Sequence, residues 1–178
     1  MALNSEVNRN ELIRVFPDLK DDADFEILSP CSETYNCIAW AMQYDDRWVD
    51  GENAAGHWWP DGVEREMTSE ALIHAFEAVG FVRTDNHEPE EGVDKVVLYK
   101  KQDEDEWTHA ARVLSGTKEY SKFGKMWDGT HSAGTLSNIY GIAYAYMKRE
   151  RPYKPLTLRG SISVNQTLLA DIKLKLKK

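Results

Sequence analysis

Asn36-Cys37-Ile38-Ala39-Trp40-Ala41-Met42-Gln43, residues 36–43, is the stretch of sequence that decides the fold. Asn36 offers a side-chain oxygen to the unpaired backbone N–H groups of a helix start. From Cys37 to Gln43 the residues are apolar nearly all round, which predicts a helix buried on most sides. Such a helix needs a layer to lie against. VVLY at 96–99 and WTHAARVL at 107–114 read as strands joined by the polar turn KKQDEDE. EYSKFGK at 119–125 reads as a third strand after the Ser115-Gly116-Thr117 turn. Helices first and an antiparallel meander afterwards give an α+β fold, with the N-terminal helices packed on one face of an antiparallel β-sheet.

Working outward, Leu12, Ile13, Val15, Phe16 and Leu19 form an amphipathic pattern over 8–20, which Pro17 ends or kinks. FEILS at 25–29 predicts a strand closed by Pro30. Residues 45–61, with Gly51, Gly56 and Pro60, predict a loop that carries Trp48, Trp58 and Trp59. Thr68 or Ser69 opens a further helix with the stripe Leu72, Ile73, Phe76 and Val79, and Gly80 stops it. An acidic loop spans 86–94. Asp128, Gly129 and His131 fall in a loop before a run over 139–147, whose Ile142, Tyr144 and Tyr146 favour a strand over a helix. Beyond Pro152, TLRGSISV suggests an edge strand and LLADIKLKLKK a terminal helix. The expected organisation is one domain over 1–152 and a C-terminal extension over 153–178.

A chain of 178 residues, 42% of them hydrophobic, suffices for one domain with a sizeable core. Its net charge of −8 repels a phosphate backbone, so no nucleic-acid partner is expected. The basic end (Lys173, Lys175, Lys177, Lys178) reads as solvated. No window approaches the roughly 18 apolar residues of a membrane span, and the N-terminus lacks a signal-peptide core, so no membrane partner is expected. Two cysteines, Cys31 and Cys37, make no disulfide framework, and the chain reads as cytoplasmic with reduced thiols. Six tryptophans predict either a heavy core or a substrate groove.

The chemistry centres on Cys37. A thiol in the first turn of a helix meets unpaired N–H groups and the positive end of the helix dipole, both of which favour thiolate. His109, near the start of a predicted strand, could supply the base, since a helix and the sheet beneath it bring such residues together. The alternative is a buried structural cysteine, packed as a small apolar group. Cys37, His57, His109 and His131 could ligate zinc, but none shows the short paired spacing of a zinc motif, and no metal or other cofactor is expected. Trp58 and Trp59 either wall a substrate cleft or anchor the long loop. Arg112 and Lys122 could hold a substrate carboxylate, although solvent-facing or structural roles are preferred. Cys31, beside Pro30, reads as a loop residue.

The set Tyr35-Asn36-Cys37-Ile38-Ala39-Trp40-Ala41, Trp58-Trp59-Pro60, Trp107-Thr108-His109-Ala110-Ala111-Arg112 and Ser121-Lys122-Phe123-Gly124 resembles an uncharacterised family of bacterial domains, over roughly residues 16–149. The layout of that family is similar to papain-like cysteine peptidases and amidases of the NlpC type. The resemblance implies a papain-like fold, Cys37 as nucleophile and His109 as general base. It also implies a polar residue that orients the imidazole, on the strand after the one carrying His109. That strand offers Ser121 and Lys122, neither a usual orienter. His131 is therefore the preferred third residue, with Asp128 as the alternative. The implied activity is hydrolysis or acyl transfer at an amide in a peptide, a cell-wall peptide or a glutamine side chain. A peptide or protein would be the substrate. The competing readings are a catalytically inactive papain-like binding module and a toxin or effector domain delivered to another cell.

Overall fold

Asn36 caps a helix as its chemistry predicts. In the computed structural model, which describes residues 3–52 and 55–151, its Oδ1 accepts the Ala39 N–H at 3.1 Å and its Nδ2 donates to the Val49 carbonyl at 2.7 Å. One side chain thus starts the helix and fastens the following loop to it. The helix, α2 (Cys37–Ala41), is shorter than the predicted 37–43, because Gln43 turns out with φ 75°. It follows α1 (Glu6–Val15), a 3-10 turn over Pro17–Asp21 and β1 (Glu26–Ser29). Pro17 ends α1 and opens the 3-10 turn, where its missing N–H costs nothing. Then come α3 (Ser69–Ala78), β2 (Val82–Arg83), β3 (Val93–Lys100), β4 (Trp107–Ser115), β5 (Lys118–Lys122), β6 (Asp128–Ser132), α4 (Ser137–Tyr140) and β7 (Ile142–Glu150). Thr68 caps α3 by accepting the Ala71 N–H.

The fold is α+β, with a seven-stranded antiparallel sheet in the order β1-β6-β5-β4-β3-β7-β2. It departs from the expected meander in two ways. The run at 139–147 is split into α4 and β7, and β7 inserts beside β3 rather than extending the sheet from β6. His131 and Asp128, expected in a loop, both lie on β6. Residues 153–178, expected to form an edge strand and a terminal helix, lie outside the described residues.

Strand alternation divides the core. Val96 and Leu98 of β3 join Ala110 under α2 and α3, together with Ile38, Leu72 and Phe76. Leu72 and Phe76 are fully buried, each contributing about 1.5–3 kcal/mol relative to exposure. Val97 and Tyr99 face the other way, against Ala111, Tyr140 and Tyr146. A further cluster joins Leu12 and Phe16 of the N-terminal helix to Ile27, Phe123 and Leu136, with Tyr140 at its edge. The helices are therefore not confined to one face, since α4 covers part of the face opposite α2. Among the described residues, no helix is long and apolar enough to cross a membrane.

Candidate active site

The β4–β5 ladder runs from the Ser115–Lys118 pair to the Arg112–Tyr120 pair and ends there. Below it, the backbone N–H of Ala110 faces the Cys37 thiol instead of a strand partner and favours its ionised form, as do the N–H groups of Ile38 and Cys37 itself. Lys122 adds a nearby positive charge. These are the helix-start effects expected from the sequence, but burial outweighs them: the thiol is pushed up to about 11. Cys37 keeps some exposed surface as a residue, while its sulfur packs against the apolar cluster beneath α2. The expected lowered thiol pKa is thus reversed. A five-residue helix supplies less favourable field than the apolar surroundings take away.

His109 is 1% exposed, and its ring lies parallel to Tyr140 at 3.9 Å between centroids. Its Nε2 meets Ser121 Oγ at 2.9 Å, and the same hydroxyl meets His131 Nε2 at 2.7 Å. His131 Nδ1 lies 2.9 Å from the Ser132 carbonyl. That carbonyl fixes every proton in the chain. A carbonyl only accepts, so His131 carries its proton on Nδ1 and leaves Nε2 as acceptor. Ser121 O–H therefore donates to His131, and the Ser121 oxygen accepts the N–H of His109 Nε2. The Nδ1 of His109 is left as a bare lone pair, buried and without a hydrogen-bond partner. Burial holds both imidazoles below the ordinary histidine range, His109 the more strongly, so both are neutral.

Register explains how a serine comes to lie between two histidines. Ser121 of β5 pairs with Gly129 of β6, and His131 is the diagonal neighbour on the same face. Gly129 has no side chain to separate them, and a Cβ there would collide with the Glu26 carbonyl of β1. His131, the preferred third residue, thus stands behind Ser121 rather than against His109. Asp128, the alternative, faces elsewhere: its carboxylate accepts the hydroxyls of Tyr35 at 3.0 Å and Tyr120 at 2.7 Å. Sequence reasoning passed over Ser121 and missed Tyr140. Alternation along 119–122 was the available signal, because it sends Glu119 and Ser121 to one face and Tyr120 and Lys122 to the other.

The remaining candidates have structural places. Trp59 is buried, stacks on Trp107 at 6.4 Å and donates to the Glu64 carbonyl. Trp58 packs against Tyr44, and its backbone bonds to Trp48 and Asp50. These contacts tie the long loop to the rest of the domain. Arg112 stacks 3.5 Å over Trp40 and donates twice to its carbonyl, closing the C-terminal end of α2. Lys122 is fully buried and donates to the carbonyls of Ser32, Gly124 and Met126. Cys31 is exposed and contacts the Lys125 carbonyl. His57 pairs with Asp50 at 3.0 Å. Among the described residues, no three His, Cys, Asp or Glu side chains cluster so as to hold a metal ion.

Fold and site together define an α+β domain in which a helix-start thiol meets the backbone of β4, the strand that also carries His109 of a buried His–Ser–His hydrogen-bond chain. The chain belongs to the family described as Domain of unknown function (DUF7689), whose model matches residues 26–148. No curated protein and no solved structure matches the chain.

Proposed function

We propose that this domain is a papain-like cysteine hydrolase or acyl-transfer enzyme acting on an amide, with Cys37 as nucleophile and His109 as general base. One observation carries the reading: the Cys37 thiol meets the N–H of the residue next to His109, and the hydrogen-bond chain leaves His109 Nδ1 unprotonated and unpartnered. A base with its lone pair free and its other nitrogen held is what removal of a thiol proton requires. Cys37 would attack the amide carbonyl as His109 takes the proton. His109 would return it to the leaving amine, and water would then release the acyl group. Ser121 orients the imidazole and His131 orients Ser121. The thiol is neutral at rest, so proton transfer accompanies attack rather than preceding it.

A peptide, cell-wall peptide or glutamine-amide panel tests the reading. Cys37→Ala and His109→Ala should each abolish turnover while preserving the circular dichroism spectrum. An unchanged rate in folded Cys37→Ala would remove the proposal. A second reading, an inactive papain-like binding module, is favoured by the raised thiol pKa and by the absence of a thiol–imidazole hydrogen bond. On that reading, no member of the panel is turned over, and Cys37→Ala retains partner binding.

A further inference from the structure

We propose that the groove at the C-terminal end of α2 binds a small oxyanion bearing phosphate or carboxylate oxygens. The groove encloses ≈ 570 Å³ and is bordered by Gln43, Asp94, Arg112, Tyr120, Arg149 and Arg151. It lies at the opposite end of the helix from Cys37, so it does not rest on the amide-cleaving reading.

Charge carries the case. Three arginines face one carboxylate, on a chain whose net charge is −8. Asp94 is shared between Arg151 at 2.8 Å and Arg149 at 3.6 Å. Lys95 also borders the groove, but its ammonium is engaged by Glu90 at 2.6 Å. Arg112 has no carboxylate partner among the described residues. Its Nε and Nη2 both go to the Trp40 carbonyl, and Nη1 makes no hydrogen bond there. Arg149 likewise spends its Nη atoms on the carbonyls of Val79 and Met42, and its Nε is buried without a partner. Carbonyls satisfy N–H groups without neutralising charge. Three arginines sharing the single Asp94 carboxylate leave a surplus of positive charge at an open groove. Arg112, the one without an ion pair among them, is a half-buried cation that is costly until an anion enters. The planar guanidinium fork matches oxyanion geometry, and the Tyr120 ring supplies a wall because its hydroxyl is taken by Asp128.

Calorimetric titration of the full chain at low ionic strength, with inorganic phosphate and separately with succinate, tests the proposal. Saturable one-site binding of at least one anion is expected, with Kd about 1 mM or tighter. Binding should weaken about tenfold in Arg151→Glu. The Arg151 side chain is 63% exposed, so this variant should keep its fold. Arg83→Gln, which alters an exposed pair with Glu70 elsewhere, should bind as wild type. Preference for phosphate or succinate identifies the ligand class, and either supports the site. Absence of saturable binding of both anions up to about 10 mM, or identical affinity in Arg151→Glu, would overturn it.

Discussion

Ser121→Ala isolates the hydrogen-bond chain from everything around it. The substitution removes one oxygen and leaves the strand, its register and the burial of both imidazoles in place. Two bonds vanish, at 2.9 and 2.7 Å, stranding His109 Nε2 and His131 Nε2 in a site where neither residue exceeds 1% exposure. A buried polar group left unpaired costs about 1–3 kcal/mol, so the two together predict a loss of about 2–6 kcal/mol. That is a large part of the 5–15 kcal/mol typical of a domain. Urea unfolding at pH 7.5, followed by tryptophan fluorescence, should show an earlier midpoint with an unchanged slope. Long-range ¹H–¹⁵N spectra provide the second readout. In the wild type, His109 should carry its proton on Nε2 and His131 on Nδ1, whereas in Ser121→Ala the His109 assignment should no longer be fixed. A loss below about 0.5 kcal/mol, the range of neutral surface changes, or a wild-type His109 protonated on Nδ1, would refute the reasoning.

Three further outcomes follow from the same environment. Glu119 is buried opposite Tyr99, which donates to it at 2.6 Å, and burial pushes its carboxyl up from 4.5 to about 7. The native state therefore holds a proton that the unfolded chain has released. This contribution, on the order of 3 kcal/mol, is complete below pH 4.5 and is lost as pH rises through about 7. Buried neutral His109 and His131 act in the opposite sense, losing stability as pH falls. Glu119→Gln should therefore gain on wild type between pH 5 and pH 8, and a constant difference in urea midpoint would contradict this. In a Cys31→Ser background, alkylation of Cys37 by iodoacetamide should rise about tenfold per pH unit through pH 9, as expected for a thiol at about 11. A plateau by pH 8 would show an ionised thiol instead. Gly141 has φ 82°, and a Cβ there would strike the Lys100 backbone, so Gly141→Ala should cost more than about 2 kcal/mol. It should also disturb Tyr140, observable as a shifted His109 ring resonance, and an unperturbed resonance would sink the link.

Much of this was legible in the sequence because local chemistry decided it. Asn36 and Thr68 are side chains whose capping geometry needs no tertiary partner. Asn36 caps as read, and Thr68 is the one of the two expected candidates, Thr68 and Ser69, that caps α3. Pro17 and Gly80 end their helices for reasons internal to the backbone. β3 and β4 announce themselves by β-branched and aromatic content. β6, spelled Asp128-Gly129-Thr130-His131-Ser132, has only Thr130 of that content; it is a strand because β1 and β5 pair with it on both sides. The placement of β7 beside β3 is likewise a matter of long-range pairing. At the site, Cys37 and His109 could be picked out as residue types in position. The role of Ser121 depends on the register of three strands, which no local pattern encodes. The thiol pKa was misjudged for a related reason: a helix start is visible in sequence, whereas the apolar packing that opposes it belongs to the whole core.

The Ser132 carbonyl also gives the His–Ser–His chain a polarity. A proton arriving at His109 Nδ1 can be relayed inward, with Nε2 passing its own proton to Ser121 and Ser121 passing its proton to His131. The positive charge then rests on His131, which already feels the Asp22 carboxylate. Positive charge on His131 opposes charge on His109, so a proton held at His131 disfavours a second on His109. The two histidines should accordingly titrate as one acceptor, a proton reservoir with a capacity of one.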